Sequence, residues 1–122
     1  MKQGVIFFGH GARDIRWKEP FDQIITLWKT NYPNIPAELA FLEMMTPNLL
    51  NTVTLLANQQ ISSITIIPVF FGQGGHLRND FPILIKECQE KFPDIKLSVS
   101  HAVGQELSIL QAITQFARNQ IT

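Results

Sequence analysis

Residues 5–11 read Val-Ile-Phe-Phe-Gly-His-Gly, and residues 64–76 read Ile-Thr-Ile-Ile-Pro-Val-Phe-Phe-Gly-Gln-Gly-Gly-His. Each stretch is a short apolar run that ends in glycines, a pattern typical of parallel strands buried on both faces. Pro68 interrupts the second run, and proline removes one donor from a strand ladder. We predict two central strands, at residues 5–8 and 64–71, each followed by a loop that carries one histidine.

Helical and strand patterns alternate along the rest of the chain. Residues 16–32 and 49–57 carry apolar side chains at helical spacing, and Thr46-Pro47 is a suitable start for the second helix. The remaining predicted elements are strands at residues 37–42 and 96–100 and helices at residues 81–92 and 106–119. This order predicts a single α/β domain, residues 1–122, with a four-stranded, mostly parallel sheet and helices on both faces.

The strand order determines where a ligand would bind. By analogy with flavodoxin-like winding, we expect the order 2-1-3-4, with a crevice at the carboxyl ends of strands 1 and 3. Under that order His10 and His76 line the same crevice. The loops that would border it carry the glycines Gly9, Gly11, Gly74 and Gly75. Glycine permits positive φ and a close approach of the backbone to a bulky ligand.

Composition restricts the class of protein and of partner. The chain has 122 residues, of which 45% are hydrophobic and 16% charged, as in globular domains. Ten basic residues balance ten acidic ones, so we expect neither nucleic acid nor a membrane as partner. The single cysteine, Cys88, excludes an internal disulfide and is interpreted as a buried structural thiol. Because the apolar run at residues 5–8 is too short for the core of a signal peptide, we expect a cytoplasmic protein.

The histidines and one acidic residue are the candidates for chemistry. A lone histidine is usually structural, but two histidines on converging glycine loops favour a metal site, because imidazole is the commonest metal ligand. Glu43 ends the second strand, and two interpretations stay open for it: a solvated carboxylate near a helix start, or a functional group that acts as a general base or as a third metal-facing ligand. His101 follows the edge strand and is interpreted as a bystander.

Several nucleotide and hydrolase motifs are absent from the sequence. Gly9-His10-Gly11 begins like a dinucleotide fingerprint, but Asp14 stands where the third glycine belongs, and Glu43 lies too far downstream. The chain has neither a Gly-x-x-x-x-Gly-Lys-Ser/Thr loop nor a Gly-x-Ser-x-Gly elbow. Nucleotide-driven chemistry and a serine nucleophile are therefore unsupported.

Three segments carry a family resemblance. Residues 8–14, 37–43 and 67–76 resemble the short form of the sirohydrochlorin cobaltochelatase family, within the class II chelatases related to ferrochelatase. The resemblance implies a chelatase-like fold and insertion of a divalent ion (Co²⁺, with Ni²⁺ or Fe²⁺ as alternatives) into sirohydrochlorin or a related tetrapyrrole. It implies neither ATP nor an organic cofactor, because the metal is a substrate.

The resemblance also assigns roles to residues. His10 and His76 would bind the incoming metal, and Glu43 would take part in catalysis beside them. Cations near the two histidine loops would hold substrate carboxylates; these are Arg13, Arg16, Lys18 and Arg78. The predicted substrate-binding residues are Gly9, Gly11, Arg13, Phe71, Gly74, Gly75 and Arg78.

Two other functions are alternatives to this assignment. The first alternative is a tetrapyrrole or metal carrier of the same fold without turnover. The second is a metal-dependent hydrolase, which needs more carboxylate ligands near the histidines than the sequence offers. We also expect a homodimer, because one small sheet offers only one wall to a large flat macrocycle and related long forms carry two such domains.

Overall fold

The structure is a computed structural model that describes residues 2–72 and 74–121, with the backbone alone at residues 75 and 76. The strands are β1 (Gln3–Gly9), β2 (Ala37–Phe41), β3 (Ser63–Pro68) and β4 (Lys96–Val99). The helices are α1 (Glu19–Asn31), α2 (Leu49–Asn58), α3 (Gly75–Lys91) and α4 (Leu107–Asn119), with short 3₁₀ turns at Ile15–Lys18 and Val103–Gln105.

All neighbouring strands pair in parallel, in the order β2-β1-β3-β4. The predicted fold class and strand order are therefore confirmed. The third strand is shorter than predicted, because it ends at Pro68 and not at residue 71. Pro68 has no N–H to donate, but the next amide, Val69 N–H, still donates to the carbonyl oxygen of Phe8 at 2.7 Å.

The main core lies between the sheet and the helices α2 and α3. Ile6, Phe8, Ile64 and Ile66 are completely buried on this face of the sheet. The ring of Phe8 stacks on that of Phe81 in α3, with centroids 4.6 Å apart. This stacking ties the first turns of α3 to the end of β1.

Cys88 of α3 is buried in the same core, as the sequence predicted. Burial, together with the nearby charge of Glu87, raises the pKa of its thiol to about 11. Cys88 is therefore an unreactive packing residue.

Two helix starts differ from the prediction. Helix α3 begins at Gly75, six residues before the predicted start at residue 81. Residues 75–80 are mostly polar and show no apolar repeat, but Leu77 is 3% exposed and anchors this added turn. Helix α2 is capped by Asn48 and not by Thr46, because Asn48 Oδ1 accepts from the Asn51 amide at 2.8 Å in a reciprocal capping box.

The opposite face of the sheet is covered only in part. Helix α1 packs on the half formed by β1 and β2, where Trp28 meets Phe7 edge to face at 5.7 Å between ring centroids. Helix α4 matches its predicted extent but has no buried residue among its thirteen, all of which the structure describes.

Candidate active site

The loops after β1 and β2 are joined by their backbones. The Leu42 amide donates to the Gly9 carbonyl at 2.9 Å, and the Glu43 amide donates to the His10 carbonyl at 3.2 Å. These bonds place the two candidate side chains together at the carboxyl edge of the sheet. His10 Nε2 lies 3.6 Å from Glu43 Oε1, and the side chains are 48% and 31% exposed.

The other ring nitrogen of His10 contacts the backbone. Nδ1 lies 3.3 Å from the Gly11 carbonyl oxygen, which can only accept a hydrogen bond. A hydrogen bond in this contact is donated by Nδ1–H, which leaves Nε2, on the side of Glu43, as the nitrogen that can bind a metal. Metal-binding histidines commonly donate their second N–H to a carbonyl in this way. The geometry therefore suits metal binding through Nε2.

Gly11 is required by the same junction of loops. Its φ is +93°, and a Cβ at this position would overlap the carbonyl oxygen of Glu43. Gly9 has a different reason, because its Cβ would overlap the ring of Phe21 in α1. A Cβ on Gly74 would meet no atom of the described residues within 4 Å.

We predict that Gly11→Ala separates the two loops. A Cβ that strikes backbone cannot rotate away, and strained backbone conformations of this kind are destabilising by about 1–3 kcal/mol. The melting temperature should fall by at least roughly 4 °C, with loss of metal binding. Thermal melts of the two variants measure this difference. The melting temperature of the control, Gly74→Ala, should equal that of the unmodified chain. Equal melting temperatures for both variants would contradict it.

A cavity of about 400 Å³ opens beside His10, at the carboxyl ends of β2, β1 and β3. It is lined by His10, Gly11, Ala12, Trp17, Phe21, Phe41, Met45, Val69 and Phe70. The walls are thus mainly apolar and aromatic, with one imidazole at the edge. Such a cavity suits a flat apolar ring system.

Sequence reasoning missed most of these walls. It assigned Trp17 and Phe21 to the apolar stripe of the first helix. Trp17 instead lies in the 3₁₀ turn, is 67% exposed and lines the cavity. Phe70 lines the cavity, whereas the predicted contact residue Phe71 is exposed outside this lining. The available signal for an aromatic cavity wall was Trp17, which follows the glycine-histidine loop at residues 9–11 by six positions.

Residue 76 lies in the first turn of α3, which follows β3 at the same edge of the sheet. Only the backbone is described at residues 75 and 76, so the position of the His76 side chain lies outside the described part of the structure. The predicted His10–His76 pair therefore stays a prediction, as does the predicted contact of Gly75 with the substrate. Glu43 lines a cavity of about 210 Å³ together with Leu42, Asp80, Ile83 and Leu84, so it adjoins the first turns of α3. Among the side chains that the structure describes, no three of the ligand-forming types His, Cys, Asp and Glu cluster around a common point.

The predicted cations differ in their surroundings. Arg16 is bound to Asp14, with Nη2 2.7 Å from Oδ2, and this guanidinium lowers the pKa of the Asp14 carboxyl. Arg13 and Lys18 make no ion pair with any residue that the structure describes. Both line a second cavity, of about 410 Å³, beside the first. Arg78 is exposed on α3 and already has a contact of its own.

His101 is not among the residues that line the cavity. Its Nε2 is 2.7 Å from Glu106 Oε1, and this contact lowers the pKa of the Glu106 carboxyl. The pair is local to the end of β4, as expected for a bystander.

The family model of CbiX matches residues 4–120. The chain belongs to the CbiX family. Among the described residues of this CbiX chain, none of the helices combines the length and apolar character that a membrane span needs.

Relatives of this CbiX chain include chelatases of two lengths. The sirohydrochlorin cobaltochelatase of Sulfolobus acidocaldarius is 22% identical over 119 residues, which cover 98% of this chain and 93% of that protein. The sirohydrochlorin ferrochelatase of Bacillus subtilis is 21% identical over 113 residues, which cover 93% of this chain but 43% of that protein. The Priestia megaterium sirohydrochlorin cobaltochelatase is 25% identical, with 36% of its length covered. The chain thus spans less than half of the two longer relatives.

Solved structures show the same fold. A CbiX protein of Marinobacter aquaeolei VT8 matches with a TM-score of 0.84 at 24% identity, covering 97% of this chain and 96% of that one. The chelatase SirB of Bacillus subtilis subspecies spizizenii, in complex with cobalt, matches with a TM-score of 0.82 at 21% identity, covering 98% of this chain and 51% of that one.

Proposed function

We propose that this chain inserts a divalent metal ion into sirohydrochlorin or a related tetrapyrrole, without ATP and without an organic cofactor. Co²⁺ is the first choice of ion, with Ni²⁺ and Fe²⁺ as alternatives. The observation that carries the proposal is His10 Nε2 beside the Glu43 carboxylate, at the edge of an apolar, aromatic cavity. The relatives named as chelatases support it.

The proposed chemistry exchanges one metal ion for two protons. The macrocycle lies against the apolar walls, including Trp17 and Phe70, and the ion is held by His10 and His76. As the ion moves onto the ring nitrogens, two pyrrole N–H protons leave. Glu43 accepts one of them, and an imidazole that the ion has released accepts the other. Two imidazoles and one carboxylate suit transfer better than a closed four-ligand site, because a tighter site would retain the ion.

Substrate carboxylates are proposed to bind Arg13 and Arg78, with Lys18 adjoining Arg13 in the second cavity. Arg13→Ala should raise KM about two- to fivefold, the effect of one exposed ion pair, with little change in kcat. Arg16→Ala is the matched control, because its guanidinium already binds Asp14. Steady-state kinetics at two salt concentrations measure both. A KM for Arg13→Ala equal to that of the control would show that Arg13 is a surface residue that does not bind substrate.

Turnover separates the enzyme from a carrier of the same fold. Purified chain is mixed with excess sirohydrochlorin and with each ion in turn, and the absorbance of the macrocycle is followed. We expect several macrocycles to be metallated per chain, faster than without protein. Binding with an insertion rate equal to that of the protein-free reaction would identify a carrier and contradict the proposal.

We further propose that residues 1–122 act as one domain, in a homodimer, in the cytoplasm, with no nucleic acid or membrane partner. The zero net charge supports the absence of a polyanionic partner, and the single buried thiol suits a reducing compartment.

A further inference from the structure

Two cavities at the carboxyl edge of the sheet share a boundary. The cavity beside His10, which we call the aromatic cavity, and the second cavity, of about 410 Å³, have two lining residues in common, Ala12 and Met45. Ala12 belongs to the loop after β1, and Met45 belongs to the loop after β2. The two cavities are therefore contiguous, and a ligand that occupies both passes between these two side chains.

The two cavities differ in their chemistry. The walls of the aromatic cavity include Trp17, Phe41 and Phe70. The second cavity, which we call the cationic cavity, contains Arg13 and Lys18. Among the described residues that line either cavity, none is acidic. A ligand that suits both cavities is therefore flat and apolar in one part and anionic at one edge.

The acidic residues around these two cations leave both of them available. Asp14 is bound to Arg16, with Oδ2 2.7 Å from Nη2. Lys18 also lines a further cavity with Asp22 and Glu38, and it forms an ion pair with neither of these described side chains. An anionic ligand can therefore bind in the cationic cavity without breaking an ion pair within the described part of the chain.

The backbone holds the two sides of the junction together. The Glu43 amide donates to the His10 carbonyl at 3.2 Å, which joins the loop of Ala12 to that of Met45. Met44 has a φ of +65°, a left-handed conformation that is unusual for a residue with a Cβ. This turn separates Glu43, which lines the cavity beside α3, from Met45 at the junction. Such strain persists only where the surrounding structure fixes it, so the junction is a set feature of the fold.

We propose that Ala12 and Met45 determine which macrocycles bind, by admitting those that carry a carboxylate side chain on the edge that faces the junction. The ring occupies the aromatic cavity, and the carboxylate side chain extends past Ala12 to Arg13 and Lys18. The single methyl group of alanine leaves the passage open, and the flexible side chain of Met45 adapts to what passes. This selection rests on the proposed function, because it takes a tetrapyrrole as the ligand.

Leucine in place of Ala12 should close the passage. Binding of metal-free sirohydrochlorin is measured by fluorescence titration of the macrocycle, so that no insertion step is needed. We expect Kd to rise about tenfold, the effect of losing two exposed ion pairs of about two- to fivefold each. Ala112→Leu is the matched control, because it makes the same substitution at an exposed position on α4, outside both linings, and its Kd should equal that of the unmodified chain.

Removing the cations tests whether they act through the same passage. The double variant Arg13→Ala/Lys18→Ala keeps the passage open and should also raise Kd about tenfold. Adding Ala12→Leu to it should raise Kd no further, because the carboxylate side chain then has no partner left to lose. A neutral derivative, in which every carboxylate of sirohydrochlorin is converted to a hydroxyethyl amide, should bind the unmodified chain and the double variant equally.

Three results would overturn the selection at the junction. The first is a folded Ala12→Leu chain that binds sirohydrochlorin as tightly as the unmodified chain. The second is a further tenfold loss when Ala12→Leu is added to the double variant, because the passage and the cations would then act independently. The third, which applies even if Ala12→Leu does not fold, is an unchanged Kd for the double variant. Metal insertion by the unmodified chain would uphold the proposed function in each case, whereas an unmodified chain that does not bind sirohydrochlorin would contradict both.

Discussion

Alanine in place of His10 or of His76 is expected to lower the rate of metal insertion about a hundredfold or more, with the double variant little worse than either single one. Even residues that only orient metal ligands change affinity or activity by about 10- to 100-fold, so direct ligands should reach at least this range. The non-additivity follows because either imidazole alone leaves an incomplete site.

Folding should survive these changes. His10 is half exposed, and its backbone carbonyl, not its ring, accepts the bond from the Glu43 amide. The matched control is His101→Ala, because His101 does not line the cavity beside His10 and pairs with Glu106; this variant should keep normal insertion. Metal affinity should also weaken in acid, because protons compete for the imidazoles. A lower melting temperature with normal metal binding would make the two histidines structural.

Glu43→Gln should slow insertion by roughly a hundredfold, the usual contribution of a general base. The amide keeps the size of the side chain and leaves the backbone bond to His10 in place, so the melting temperature should hold. Glu38→Gln is the control, since Glu38 lies on β2 outside the lining of the cavity beside His10. Single-turnover absorbance over a range of pH measures the rates.

One result would show that Glu43 is an ordinary solvated carboxylate without a catalytic role. That result is a Gln variant as fast as the unmodified chain at every pH. The 3.6 Å distance between Glu43 Oε1 and His10 Nε2 argues against it, because it puts the carboxylate beside the nitrogen that we propose as a metal ligand.

The sheet was predictable from the sequence because parallel strands leave a strong local signal. Short apolar runs that end in glycine located β1 and β3, and the βα alternation implied the strand order that the structure shows. The limits of elements were less predictable. The first turn of α3 is anchored by the buried Leu77, and β3 ends at Pro68, before the end of its apolar run.

Parts of the site followed from topology, and other parts did not. His10 and Glu43 were expected at one edge, and the structure places them together. The walls of the cavity were missed because Trp17 and Phe21 also fit a helical core pattern. Arg16 was a candidate for substrate binding until the structure paired it with Asp14, two residues away. Pairings between side chains and the exposure of α4 depend on tertiary geometry, which hydrophobic periodicity does not record.

A crystal structure of the chain soaked with Co²⁺ is the most direct test of the proposed metal site. The account predicts one ion about 2 Å from His10 Nε2 and from a ring nitrogen of His76, the usual length of such bonds, with the Glu43 carboxylate beside it. An ion bound elsewhere, or two histidines too far apart to share one in either a single chain or a dimer, would contradict it.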